Sequence, residues 1–277
     1  AAGSPRLVTN EDPTGTIVAG TMNNCAGGIT PWGTWLMAEE NFNGNFLGTI
    51  AEDHPEAENH KRYGVAGGWY QWGRHFSRYD ISKEPNEPNR FGWVVEVDPM
   101  DPNSTPKKRT ALGRFKHEGA ESTVAPNGQV VVYMGDDQRF DYVYKFVSKN
   151  KFDPNNREVY ATLTNNHKRG HAHPINAANP RHDNHHGQII RWREQGADVT
   201  ATRFTWDLFL LAGEAQGGHP DHLTGTINGD IFSSPDGLAF DAAGRLWIET
   251  DYDDRDPLMQ NMGCNQLLCD DPQSREV

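Results

Sequence analysis

Apolar residues in this chain come in short runs closed by turn residues, a pattern that predicts strands rather than long helices. Residues 93–97 (WVVEV) run into Asp98-Pro99, and residues 129–134 (QVVVYM) follow the turn Pro126-Asn127-Gly128. Residues 142–147 (YVYKFV) form the next run. Residues 238–241 and 245–249 flank Ala242-Ala243-Gly244 as a hairpin. Helical signals are sparse, and the best short helix is predicted at residues 206–212 (WDLFLLA).

One plan recurs. Residues 33–40, 128–136 and 244–251 each hold a turn glycine, an apolar strand and an acid seven or eight residues after the glycine. In a β-propeller, equivalent strands of successive blades carry their ends to one face. Glu40, Asp136 and Asp251 would then converge, and converging carboxylates need cations to offset their repulsion. The plainer reading is that these acids are turn residues after strands. Residues 163–191 interrupt the rhythm with half of the 12 histidines, and are expected to form a loop-rich insertion. His171, His173, His182, His185 and His186 lack the carboxylate frame of a zinc motif, so a structural or substrate-gating loop is the favoured reading.

Composition agrees with an all-β chain. It has 28 Gly, 17 Pro and 8 Trp in 277 residues, with a mean hydropathy of −0.77. Those levels fit many short strands and tight loops, and the length fits one propeller or barrel domain over residues 1–277. No apolar run approaches the roughly 18 residues that cross a membrane, and no secretory apolar segment is present. The chain is therefore expected to be soluble, and cytoplasmic or already processed. Asp and Glu number 38 against 26 Lys and Arg, a net charge of −12. Such a surface disfavours nucleic acid and anionic membranes, and repels an anionic substrate unless bound cations reverse the local field. Of the three cysteines, Cys264 and Cys269 could pair across a short loop, leaving Cys25 alone.

Candidate chemistry concentrates in residues 23–41 (NNCAGGITPWGTWLMAEEN). A thiol, Cys25, stands beside two glycines that permit close backbone approach, and a Trp-rich strand leads to Glu39 and Glu40. Cys25 reads as nucleophile, metal ligand or core filler. Soft sulfur and hard oxygen in one stretch point to more than one kind of metal ion. Residues 114–121 (RFKHEGAE) put His117, Glu118 and Glu121 before a strand, and Asp236 sits in the Pro-Asp-Gly turn of residues 234–241 (SPDGLAFD). Nucleophile-elbow, P-loop and dinucleotide glycine motifs are absent, which sets aside serine-hydrolase and nucleotide-dependent readings.

These motifs, together with residues 131–147 (VVYMGDDQRFDYVYKFV), TLTNN followed by NPR, and residues 234–251, resemble the PhoX alkaline phosphatases over nearly the whole chain. The resemblance implies a six-bladed β-propeller-like fold, incomplete in this chain, that hydrolyses small-molecule phosphate monoesters. It also implies ferric (Fe3+) and calcium (Ca2+) ions. Carried over by motif, Cys25 is an iron ligand, Glu118 an acid on the iron side with a catalytic role, and Glu40 and Asp236 further ligands, for calcium. Asp136 and Asp251 rest on the repeat instead. Family members are exported folded, which implies a periplasmic or secreted enzyme. The resemblance also leads to an expectation of a further blade beyond Val277, so that these 277 residues bind metal incompletely and turn over p-nitrophenyl phosphate poorly. Two other readings use the same blades: a calcium-dependent lactonase, which needs no thiolate, and a non-catalytic calcium-binding propeller.

Overall fold

A computed structural model of the chain describes residues 2–138, 141–152, 161–168, 177–182, 184–215, 224–251 and 262–272. The chain divides into two units, residues 1–168 and 169–277. Among the described residues strand far outweighs helix, and the strands lie in antiparallel sheets whose order follows the sequence.

In the first unit, β1 (Asn24–Ile29), β2 (Trp35–Glu39), β3 (Val94–Val97) and β4 (Lys107–Lys108) form one meander. A second meander holds β5 (His117–Val124), β6 (Gln129–Asp136), β7 (Tyr142–Lys151) and β8 (Ala161–Lys168). The predicted runs at residues 93–97, 129–134 and 142–147 fall in β3, β6 and β7. Val130, Val131 and Val132 are all buried, because β6 lies inside its sheet and is covered on both faces. Leu36 and Val94 of the first sheet pack with Ala120, Val132, Met134 and Phe146 of the second into one core. The two sheets come close where β1 meets β5. A Cβ on Gly28 would lie 2.2 Å from the Ala120 carbonyl oxygen, so only glycine fits there. Ser122 Oγ donates to the Ile29 carbonyl at 2.8 Å along the same seam.

Between β2 and β3 the chain leaves the sheet for short 3-10 turns and one helix, α1 (Ala57–Tyr63), which ends at Gly64 in the left-handed conformation (φ 66°). Phe42, Phe46 and Phe91 are fully buried beneath this excursion with Met22 and Ile81.

In the second unit, β9 (Gln188–Glu194) pairs with β10 (Phe204–Leu211), and β11 (Pro235–Phe240), β12 (Leu246–Thr250) and β13 (Leu267–Asp270) form a three-stranded sheet. The expected hairpin is β11 and β12, closed by residues 241–245. The helix predicted at residues 206–212 is instead strand β10. Trp206 lies opposite Trp192, Asp207 opposite Arg191, and a register shift between Leu208 and Leu210 buries the adjacent Phe209 and Leu210 together. That buried doublet imitates helical spacing, while the cross-strand partners decide for the strand. Within the expected insertion, residues 163–168 belong to β8 and residues 188–191 to β9. His171 and His173 lie outside the described residues. Arg181 organises the approach to β9: its guanidinium donates to the carbonyls of Ala212 (2.8 Å), Thr224 (3.1 Å) and Gly187 (2.7 Å) and to Asn184 Oδ1 (2.6 Å). Cys264 and Cys269 are not joined by a disulfide. Among the described residues, no helix is long and apolar enough to cross a membrane.

Candidate active site

The three repeats found in the sequence are the second strands of three sheets, β2, β6 and β12. Their turn glycines, Gly33, Gly128 and Gly244, share one backbone conformation, at φ 82°, 89° and 84°. The first strand of each of those sheets shows a further regularity. Its pairing register slips once, between Asn24 and Gly27 in β1, between His117 and Ala120 in β5, and between Pro235 and Leu238 in β11. Cys25, Glu118 and Asp236 lie inside those three slips. A bulge inserts unpaired backbone and re-aims the side chain it carries, which is why bulges collect beside active sites. All six residues singled out in the sequence therefore occupy two equivalent settings: Cys25, Glu118 and Asp236 at first-strand bulges, and Glu40, Asp136 and Asp251 at or just past second-strand ends.

In the first unit these settings meet. Asn24 lies opposite Glu39, and Glu40 N–H donates to the Asn23 carbonyl at 2.9 Å, so Cys25 and Glu40 share one end of their sheet. His117 lies opposite Asp136, which puts Glu118 and Asp136 at one end of the neighbouring sheet. β1 and β5 run in the same direction along their seam, with Gly28 against Ala120 and Ile29 against Ser122, so the two ends coincide. Lys116 stands between them. Burial lowers its pKa, outweighing the opposing negative charges of Asp136, Asp137 and Glu40. Glu39, adjacent to Glu40, has another task. It is fully buried, takes the Lys108 ammonium at 2.7 Å, and accepts from Thr21 Oγ1 at 2.7 Å and from the Trp93 N–H at 3.1 Å. Burial in turn brings Lys108 down to about 8.

Asp136 is the most perturbed acid of this end. Its side chain is fully buried; Oδ1 accepts from the Gln138 N–H at 3.0 Å, and Oδ2 has no hydrogen-bond partner. Burial raises its pKa to about 6, the Gln138 N–H opposes this, Asp141 adds to it, and Arg62 opposes it. Arg62, from α1, reaches Asp141 at 2.9 Å and Asp136 at 3.6 Å. A buried carboxylate oxygen without a donor suits a cation. The donor types at this end, one thiol and three carboxylates, fit a site for both softer and harder ions. Among the described residues, however, no three His, Cys, Asp or Glu side chains stand close enough together to hold a metal ion.

A model of the alkaline phosphatase PhoX family matches residues 1–158 and 152–276. The chain belongs to the alkaline phosphatase PhoX family. A solved structure described as Pseudomonas fluorescens PhoX in complex with vanadate, a transition state analogue, superposes with a TM-score of 0.89 at 37% sequence identity. The alignment covers 100% of this chain and 63% of that one, so the chain spans somewhat less than two thirds of the length of its structural relative. No curated protein matches it.

In the second unit of this PhoX-family chain, the bulge of β11 carries Asp236, and Asp251 follows β12, its N–H donating to the Ser234 carbonyl at 3.0 Å. Asn265 Nδ2 donates to Asp251 Oδ1 at 3.4 Å. His186, from the histidine-rich stretch, is buried with Nδ1 3.0 Å from Ser233 Oγ. His117 is likewise structural: buried, stacked on Phe115 with ring centroids 3.5 Å apart, and lowered by burial to about 4. Three further residues are not among the candidates that the sequence offers. Arg62 and Lys116 are ordinary surface types in sequence, and nothing local marks their approach to Asp136. Arg181, in the NPR motif, is buried and brought down to about 10 by burial.

Proposed function

We propose that this chain hydrolyses phosphate monoesters with a mixed iron and calcium centre, as one propeller-like domain of six-bladed type, in a periplasmic or secreted setting. The observation that carries the proposal is the set of three equivalent bulges presenting Cys25, Glu118 and Asp236, in a chain that matches a PhoX structure containing a transition-state analogue of phosphoryl transfer. Cys25 and Glu118 would hold iron. Glu40 and Asp236 would hold calcium, with Asp136 and Asp251 contributing by their position in the repeat. When bound, such ions offset the charge that spreads over the phosphoryl oxygens in the transition state. The chain's own residues do the rest. The bulges orient the ligands, Gly28 fixes the seam that brings β1 and β5 together, and Lys116 puts a cation among Glu40, Asp136 and Asp137 on a protein of net charge −12.

The test is metal analysis of the 277-residue chain purified without added metal, together with its Cys25→Ser variant and p-nitrophenyl phosphate turnover. Iron at less than one ion per chain, lost in Cys25→Ser together with a slow turnover, is the expected result. Equal iron in both proteins, or turnover that survives removal of metal by chelation, overturns the assignment. Calcium without iron, combined with lactone hydrolysis, would support the lactonase reading instead.

A further inference from the structure

An aromatic row stands beside the candidate site. Four large rings within eight residues of sequence are exposed: Trp69 (57%), Tyr70 (44%), Trp72 (41%) and Phe76 (60%). They are held in place. Tyr70 and Trp72 have centroids 5.8 Å apart, Trp72 meets Tyr79 edge-on at 5.2 Å, Phe76 meets Tyr79 at 6.4 Å, and Tyr79 packs on buried Phe46 at 5.8 Å. The near end of the row is fixed to the turn that follows β2 and Glu40. The Trp69 and Tyr70 N–H groups both donate to the Gly44 carbonyl, at 2.9 and 3.1 Å. The Trp69 ring lies against Gly44, where a Cβ would fall 2.5 Å from the indole. Gly44 belongs to the 3-10 turn Phe42–Asn45, which begins two residues after Glu40. Asn45, in the same turn, donates to Asn23 Oδ1 at 2.5 Å, and the Asn23 carbonyl accepts from Glu40 N–H. Trp69 is thus one turn of chain away from the end that carries Cys25 and Glu40.

Exposed rings anchored through a core cost little entropy when a second ring stacks on them. We propose that this row, with Trp69 at its inner end, receives the organic group of the substrate, and that the preferred esters are those whose organic group carries a flat aromatic ring, aryl or nucleobase. This rests on the phosphate-ester reading of the site. A ring seated on Trp69 would place its ester phosphate toward the strand ends, and an alkyl ester would leave the indole in water.

Two measurements test it on the 277-residue chain and its Trp69→Ala and Trp69→Phe variants. The first is the ratio of kcat/KM for p-nitrophenyl phosphate to that for glycerol phosphate, which cancels any change in the folded fraction. It should fall roughly tenfold in Trp69→Ala, the scale of one lost stacking contact, and recover largely in Trp69→Phe. The second is tryptophan fluorescence titration with phenylphosphonate and propylphosphonate, neither of which can be hydrolysed. Phenylphosphonate should bind the more tightly, with that preference lost in Trp69→Ala. If neither ester turns over, the phosphatase reading fails while the phosphonate titration still decides the row. Equal binding of the two phosphonates by the unaltered chain, or a preference unchanged in Trp69→Ala, overturns the proposal. So does a concentration-dependent dimer that Trp69→Ala abolishes without changing either ratio.

Discussion

Glu96 and Asp136 are both buried carboxylates in the first unit, at opposite ends of two adjoining sheets, and their surroundings drive them in opposite directions. Burial alone would raise both. At Glu96, hydrogen bonds from Thr34, Trp32 and Arg109 outweigh burial and lower the pKa. Trp32 Nε1 and Thr34 Oγ1 donate to Oε1 at 2.6 and 2.5 Å, and Arg109 Nε donates to Oε2. At Asp136 one backbone N–H serves Oδ1, Oδ2 is left without a donor, and the pKa rises to about 6. The difference lies in the supply of donors, not in depth. The turn end of the first sheet completes its carboxylate's hydrogen bonds and gains stability. The bulge end leaves one incomplete and carries a cost that a bound cation would relieve.

Removing the satisfied acid should have the largest effect. Glu96→Ala leaves Thr34 and Trp32 without their acceptor and Arg109 without its partner, and is expected to cost about 3 kcal/mol in urea denaturation, moderated because Arg109 is partly solvated. A loss below about 1 kcal/mol would place Glu96 with ordinary surface acids and dissolve the contrast.

The incomplete acid should respond with the opposite sign. The pKa of Asp136 in the fold, about 6, lies above its unfolded value near 3.8, so the fold favours the protonated form. The stability this gives is complete below about pH 4 and is lost as pH rises through 6. Asp136→Asn, which stays neutral, should therefore match the unaltered chain at pH 4 and exceed it by about 2 kcal/mol at pH 8, measured with chelator present. Its calcium and iron content should fall at the same time. Equal stability of the two proteins at both pH values would show that Asp136 is not strained by its burial.

How much of this was legible in the sequence depends on whether each cause is local. The second strands were, because each needs a turn glycine at positive φ and then an apolar run, and both signals are read within eight or nine residues. The bulges were not. A register slip exists only between two strands, and the order of Cys25-Ala26-Gly27, Glu118-Gly119-Ala120 and Asp236-Gly237-Leu238 gains meaning once β2, β6 and β12 are laid beside them. Glu39 and Glu40 could not be told apart for the same reason. The ammonium that claims Glu39 comes from Lys108, 69 residues downstream. Residues 206–212 read as a helix because the bulge of β10 buries two successive residues. Arg62 reaches Asp136 from a helix inserted between β2 and β3, and no periodicity foretells where such an excursion returns.

The smallest expected effect tests whether the charges around Asp136 have been placed correctly. Arg62 Nη2 is 3.6 Å from Asp136 Oδ2 and 2.9 Å from Asp141 Oδ1, and its side chain is 43% exposed, so water screens much of its influence. Arg62 lowers the pKa of Asp136 while Asp141 raises it. Arg62→Ala should therefore move the Asp136 titration upward by less than about one unit, worth under about 1 kcal/mol, read by carboxyl NMR across pH 4 to 8. The shift should shrink in 1 M salt, where exposed charges are screened within a few ångströms. A shift of several units would make Arg62, rather than burial, the main control on this acid. No shift at all would mean that Arg62 serves Asp141 alone, and that burial raises Asp136 without any opposing cation.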